Sequence, residues 1–230
     1  MNRSVPLEEI QHHSIRIPDS EDRIFLDGIL SVPPAPLGWV IFAHGSGSSR
    51  FSPRNLQVAQ ALQQDHWATL LFDLLTQDES EDRRKVFDIP LLTRRLVLAV
   101  QFLKQRPEYN AKPIALFGAS TGAAAAMEAS ADLGSAIRFL ISRGGRVDLA
   151  RDSAHRVKAQ TLLIVGSRDE PVLSWNRETL PLLERGELKV ISGASHLFEE
   201  PHALSSVIQT VTNFLTKCLK PSHPKTTLHP

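Results

Sequence analysis

A serine flanked by glycines lies near the middle of the chain, in the run GASTG at residues 118–122. An apolar run precedes it and a run of alanines follows it, which predicts a strand, a tight turn and a helix in that order. Such a turn projects a serine hydroxyl above the sheet, where it can attack a carbonyl carbon. We therefore predict that Ser120 is a catalytic nucleophile; the alternative is an ordinary glycine-bounded turn with an incidental serine.

A serine hydroxyl becomes an effective nucleophile only when a base takes its proton and a carboxylate orients that base. Asp169 follows the apolar run 161–165, and His196 follows a weaker apolar run that ends at residue 191. The order Ser120, Asp169, His196 is typical of one large class of serine hydrolases. We predict that these three form a catalytic triad, in preference to three neighbouring rivals: Glu170, Asp148 and His202.

Attack by serine creates a negatively charged oxygen that backbone N–H groups must stabilise. The N–H of Thr121, directly after the nucleophile, is one predicted donor. The second is predicted to be Ser46, in the small-residue loop 44–49, with Gly45 beside it against the substrate. A phosphate-binding glycine loop is the alternative interpretation, but this loop lacks the spacing of both common phosphate-binding motifs.

Two arginines, Arg143 and Arg146, follow another candidate strand and are predicted to reach the same edge of the sheet. Guanidinium groups suit carboxylate and phosphate, so both are candidate substrate-binding residues. The alternative is that they pair with nearby acids, such as Asp148 or Asp169, or face solvent.

The elements that must position these residues alternate along the chain. Residues 5–17 and 23–32 alternate apolar and polar side chains around a turn, which predicts an antiparallel pair at a sheet edge. Short apolar runs predict buried parallel strands at 39–43, 68–72, 113–117 and 161–165, with weaker ones at 137–141 and 188–191. Helical spacing is found at 53–65, 89–105, 123–133, 174–183 and 201–219. The pattern predicts an α/β fold with a mostly parallel sheet and helices on both faces.

The intervals between the triad residues are too short to hold a large helical lid, so we expect an open, shallow site. Residues 74–87 are the one sizeable candidate cover, and we predict that they border the substrate entrance. The mixed charges at 78–85 are interpreted as a solvated loop or a frayed helix end.

Composition favours a small-molecule substrate. The 26 basic and 25 acidic residues give a formal net charge of +1, so there is no electrostatic case for nucleic acid or a membrane surface. A single cysteine, Cys218, excludes an internal disulfide and a cysteine metal cage, and no cofactor or metal is expected. We expect a cytoplasmic protein with one domain over residues 1–219 and a disordered tail at 220–230.

Several motifs together resemble the dienelactone hydrolase-like branch of the α/β-hydrolase superfamily. They are HGSGSS from His44, LFDLL from Leu71, FDIPLL from Phe87, FGASTGAA from Phe117, SRGGR from Ser142 and HLFEEP from His196. The resemblance implies acyl transfer to water, and it is closest to a bacterial subgroup sometimes fused to a phosphoribosyltransferase-like domain. Dienelactone hydrolases themselves use a cysteine nucleophile, where this chain has Ser120.

The leading hypothesis is therefore a serine hydrolase that cleaves an ester, lactone or thioester of a small molecule. Two alternatives remain open at this point. One is a peptidase or acyltransferase that uses the same triad. The other is a catalytically silent relative that acts as a binding partner.

Overall fold

A computed structural model of the chain describes residues 9–219. Its centre is an eight-stranded sheet in the order β1-β2-β4-β3-β5-β6-β7-β8. The strands are β1 (Gln11–Asp19), β2 (Ile24–Val32), β3 (Gly38–Ala43), β4 (Trp67–Phe72), β5 (Ile114–Ala119), β6 (Phe139–Arg143), β7 (Gln160–Gly166) and β8 (Gly186–Ile191). Strands β3 to β8 run parallel, and β2 joins them antiparallel through β4.

The predicted antiparallel pair at the sheet edge is confirmed. β1 and β2 pair in a register that sets Ile15 opposite Gly28 and Ile17 opposite Leu26. Alternate side chains of β1 are buried, as expected of a strand with one face on the core. β1 continues to Asp19, past the predicted end at residue 17, because Pro18 and Asp19 still pair with Phe25 and Ile24 of β2. Residues 5–8 of the predicted strand lie outside the described part of the chain.

Helices cover both faces of the sheet, as predicted. On one face, α4 (Ile89–Lys104) and α5 (Thr121–Leu133) pack on the core with side chains such as Leu96 and Ala125. On the other face, α1 (Pro53–Gln64) and α7 (Ala203–Leu219) do the same with Val58 and Val211. β3 to β7 are buried along almost their whole length, which explains their unbroken apolar runs.

Two regions in the C-terminal half of the chain differ from the sequence-based expectation. Residues Val147–Arg156 form an unpredicted 3₁₀ segment between β6 and β7. The helix predicted at 174–183 is instead α6 (Val172–Thr179) followed by a 3₁₀ turn, Leu180–Leu182. Pro181 lies in that turn, and a proline lacks the N–H that a continuing α-helix would need.

The charged stretch at 78–85 is more ordered than its composition predicts. It forms two short helices, α2 (Gln77–Glu81) and α3 (Arg83–Val86). Glu79 is buried, and both of its carboxylate oxygens accept hydrogen bonds from the fully buried Arg95 of α4. The interpretation as a solvated loop is therefore wrong at Glu79, because its carboxylate is paired with a charged side chain inside the protein.

No helix within residues 9–219 is both long and apolar enough to cross a membrane. The predicted disordered tail at 220–230 lies outside the described residues.

Candidate active site

Ser120 occupies the sharp turn between β5 and α5. Its φ of 51° is in the left-handed region, which a non-glycine residue rarely adopts. The flanking glycines permit close approach: a Cβ on Gly122 would lie 2.3 Å from the carbonyl oxygen of Ala43, and one on Gly118 would lie 2.3 Å from the Cα of Ala123. The turn is thus a strained, tightly packed strand-to-helix corner with the serine at its apex.

The structure brings Ser120, Asp169 and His196 together. Nε2 of His196 lies 3.3 Å from the Ser120 hydroxyl oxygen, and Nδ1 lies 2.8 Å from Oδ2 of Asp169. A carboxylate can only accept, so Nδ1 donates to Asp169 and leaves Nε2 as an acceptor for the serine proton. The Asp169 side chain is buried and the imidazole is 37% exposed. The arrangement can deprotonate a serine beside solvent.

The loops at the ends of β7 and β8 hold this geometry. The N–H of Asp169 donates to the carbonyl of Gly166, and the carbonyl of Asp169 accepts from the N–H of Leu173 at the start of α6. The three rivals lie elsewhere. Glu170 and His202 are exposed, and Asp148 is bonded to Arg146.

Glu200, which sequence reasoning missed, joins the two loops. Its carboxylate accepts from the N–H of Ser195 at 3.0 and 3.1 Å and from Arg168 at 2.6 Å. Arg168 precedes Asp169, and Ser195 precedes His196. Hydrogen bonding from Ser195 lowers the pKa of Glu200 to about 2. The only sequence signal is the acidic pair after His196, which does not reveal its partners.

The loop after β3 packs against the nucleophile turn through one peptide group. The N–H of Ser46 donates to the hydroxyl oxygen of Thr121 at 2.9 Å, and the carbonyl of Gly45 accepts from Nδ1 of His44 at 3.0 Å. Nε2 of His44 in turn accepts from the N–H of Leu74, and burial lowers the pKa of His44. The predicted donor N–H of Ser46 is therefore beside the nucleophile, but it is bonded to the Thr121 side chain.

Two of the cavities at this edge of the sheet reach the nucleophile turn. The smaller, about 190 Å³, is lined by Ser120 and His196 together with Gly45, Ser46 and Arg143. The larger, about 480 Å³, is lined by Ser46 and Thr121 on one side and by Leu74, Leu75 and Val86 on the other. The segment 74–87 therefore lies on the same edge of the sheet as Ser120.

The structure separates the two predicted arginines. Arg143 lines the small cavity, is 6% exposed, and donates from Nη2 to the side-chain oxygen of Asn55 at 3.1 Å. Burial, and then the positive charge of Arg54, lower the pKa of Arg143 to about 10. Arg146 instead bonds both oxygens of Asp148, at 2.9 and 2.8 Å. The two side chains do not form a shared clamp.

Within residues 9–219, no cluster of three or more histidine, cysteine, aspartate or glutamate side chains could hold a metal ion. Cys218 is partly buried against the apolar core on the α1 and α7 face, and burial raises its pKa. It lies outside both cavities.

A family model described as an alpha/beta hydrolase domain matches residues 37–218. Among solved structures, a dienelactone hydrolase from Anabaena variabilis is 45% identical, with a TM-score of 0.86 over 90% of this chain and 98% of that one. Est1E from Butyrivibrio proteoclasticus is 18% identical, with a TM-score of 0.77 over 90% of this chain and 98% of its own, and is similar in fold alone.

Two curated relatives from strains of Mycobacterium tuberculosis are each named a putative phosphoribosyl transferase. Each is 51% identical to this chain over 181 residues, which is 78% of this chain. The chain spans 41% of the length of these relatives. Their name therefore describes proteins much longer than the matched region.

Proposed function

Because this chain belongs to the α/β-hydrolase family and is a dienelactone hydrolase-like enzyme, we propose that it cleaves an ester, lactone or thioester of a small molecule through an acyl-enzyme on Ser120. The observation that carries the proposal is the continuous chain of hydrogen-bonding groups from Ser120 through His196 to Asp169. Each of the three follows a different strand, and the parallel sheet brings the ends of these strands to one edge, where the three side chains are within hydrogen-bonding distance.

In the first half of the proposed reaction, Ser120 is acylated. Its hydroxyl oxygen attacks the substrate carbonyl carbon while Nε2 of His196 takes the hydroxyl proton. Asp169 accepts from Nδ1 and stabilises the imidazolium that forms. The tetrahedral intermediate then collapses, the bond to the leaving oxygen or sulfur breaks, and Nε2 gives its proton to that atom.

In the second half, water replaces the leaving group. Nε2 of His196 takes a proton from water as its oxygen attacks the acyl carbon of the Ser120 ester. The new tetrahedral intermediate collapses, the bond to the serine oxygen breaks, and the proton returns to that oxygen. A carboxylic acid leaves and the enzyme is restored. The His196 side chain is 37% exposed, so its imidazole is in contact with solvent.

We assign the oxyanion hole to the N–H groups of Thr121 and Ser46. The N–H of Thr121 lies in the first turn of α5, where backbone donors have no partner within the helix. The N–H of Ser46 has the Thr121 hydroxyl oxygen as its acceptor in the free enzyme. In this proposal the Thr121 hydroxyl keeps that N–H in place, and the substrate oxygen becomes its second acceptor when the tetrahedral intermediate forms.

A direct test compares hydrolysis of p-nitrophenyl acetate by the wild type, Ser120→Ala and Asp169→Asn. We expect kcat to fall at least about 10³-fold for Ser120→Ala and about 10⁴-fold for Asp169→Asn, because the asparagine would hold His196 in the wrong tautomer. Glu170→Gln, beside Asp169 but exposed, is the matched control and should keep wild-type activity. Wild-type activity in either triad variant would contradict the assignment.

A further inference from the structure

The small cavity beside Ser120 is electropositive. Besides the residues named above, it is lined by Ser48, Ser52, Arg54, Ala119 and Leu197. Two arginines and no acidic residue contribute to that lining. The cavity also lies at the N-terminal ends of α1 and α5, where backbone dipoles add partial positive charge.

Arg143 is buried without a charge partner. Its guanidinium has one hydrogen bond, to the neutral side chain of Asn55, and its Nε has no partner. No carboxylate among the described residues forms an ion pair with it, and the charged group that acts on it is Arg54, which repels it. Burying a charge without an ionic partner is costly. The ring of Phe198, whose centroid lies 5.9 Å from the guanidinium carbon, offsets part of this cost but supplies no hydrogen-bond acceptor.

Arg95 is a buried arginine with a structural role, and it provides a comparison for Arg143. It is fully buried, and Arg143 is almost as buried. Unlike Arg143, it donates two hydrogen bonds to Glu79, one to Asp19 and one to Asp22. Its positive charge is thus matched by acidic side chains. Arg143 lacks such a match, although it lies on the wall of the cavity that holds Ser120.

Arg54, at the start of α1, is the second basic residue of the cavity. It donates from Nη1 to Glu199, whose side chain is 65% exposed, and its Nε is buried without a partner. A ligand oxygen could therefore find unused donors on both guanidinium groups. Charge-assisted bonds from guanidinium suit planar carboxylates and tetrahedral phosphates alike.

We propose that Arg143 and Arg54 form a binding subsite for an oxyanion group, a carboxylate or a phosphate, carried by the substrate whose carbonyl Ser120 attacks. This inference rests on the proposed function and narrows its substrates to anionic esters, lactones or thioesters. Arg146 is ion-paired with Asp148 and is not part of the subsite.

Matched anionic and neutral substrates test whether the group that binds the two arginines is part of the substrate. The p-nitrophenyl monoesters of glutaric and adipic acids carry a free carboxylate, and their methyl esters are neutral controls. We expect Arg143→Gln to lower kcat/KM by about 10- to 100-fold for at least one anionic ester and by no more than about threefold for its neutral control. Arg151→Gln, which removes an exposed arginine outside the cavity, should change neither value. Equal losses on both esters of each pair would overturn the proposal.

A binding measurement tests the subsite without relying on catalytic activity. In the Ser120→Ala protein, inorganic phosphate and glutarate are each added at matched ionic strength while Tm is recorded. A rise in Tm with either anion, lost on adding Arg143→Gln or Arg54→Gln, supports the subsite and identifies which oxyanion it prefers. No rise with either anion, or a rise unchanged by both substitutions, would overturn it.

The two experiments can fail independently of each other. If Ser120→Ala retains esterase activity while the anion still raises Tm through Arg143, the proposed function fails and the subsite stands. If Arg143→Gln does not fold, Arg54→Gln supplies the same kinetic and thermal readouts, because the Arg54 side chain is 30% exposed and tolerates substitution better.

Discussion

That Ser120, Asp169 and His196 lie together could be predicted from sequence because each carries a local signal. A glycine-bounded serine between a strand and a helix, and an aspartate and a histidine after later strands, are recognisable without knowing what they touch. Glu200, Arg54 and the Thr121 hydroxyl carry no such signal. Glu200 accepts a hydrogen bond from Arg168, which is 32 residues away in the sequence, and the Thr121 hydroxyl accepts one from Ser46, 75 residues away. These contacts exist only in the folded chain.

The hydroxyl of Thr121 is expected to position the loop after β3. Thr121→Val keeps the side-chain shape but removes the acceptor for the N–H of Ser46. We expect kcat/KM for p-nitrophenyl acetate to fall about five- to tenfold, because one hydrogen bond of about 1 kcal/mol no longer orients this donor. Thr121→Ser retains the hydroxyl and should recover most of the loss. Equal activity in all three proteins would show that the contact has no role.

At the scale of elements, the parallel strands explain why the site could be anticipated. The carboxyl ends of β3, β5, β6, β7 and β8 meet at one edge of the sheet, so residues that follow them converge. The observed strand ends lie within two residues of the predicted ones, except that β1 begins at Gln11 where the sequence predicted residue 5. The 3₁₀ segment Val147–Arg156 escaped prediction although Val147, Ala150 and Ala154 are buried at helical spacing, because two of these three are small alanines among polar and charged residues.

The buried pair Glu79 and Arg95 is expected to stabilise the segment that borders the larger cavity. Glu79→Gln removes the charge that compensates Arg95, although Asp19 and Asp22 remain. We expect the free energy of unfolding in urea at pH 7 to fall by about 1–3 kcal/mol. Glu81→Gln, on an exposed position of the same helix, is the control and should change it little.

The same pair gives a pH dependence whose sign follows from the pKa of Glu79. Burial alone would raise this pKa, but hydrogen bonds from Arg95 and Lys85 outweigh it and lower the value from 4.5 to about 2. The contribution of ionised Glu79 to the free energy of unfolding is therefore complete above about pH 4.5 and is lost as the pH falls toward 2. The difference in stability between wild type and Glu79→Gln should narrow over that range. A difference that stays constant from pH 7 to 3 would count against an ionised Glu79.

At the scale of the whole molecule, the fold was easier to predict than the substrate. Alternating strands and helices define two cores, one on each face of the sheet, and this pattern is visible along the sequence. The small cavity, by contrast, is assembled from the loop after β3, the start of α1, the end of β6 and the loop that holds His196. No single segment of sequence describes its shape or its charge.

The central claim, that folding assembles a serine nucleophile at Ser120, is tested most directly by a fluorophosphonate probe and intact mass. A fluorophosphonate phosphonylates a serine that a histidine has activated, with loss of fluoride. We predict one adduct on the folded wild-type protein, located on Ser120, and none on Ser120→Ala or on the wild type unfolded in urea. Absence of an adduct on the folded protein, or an adduct that persists in Ser120→Ala, would contradict the account.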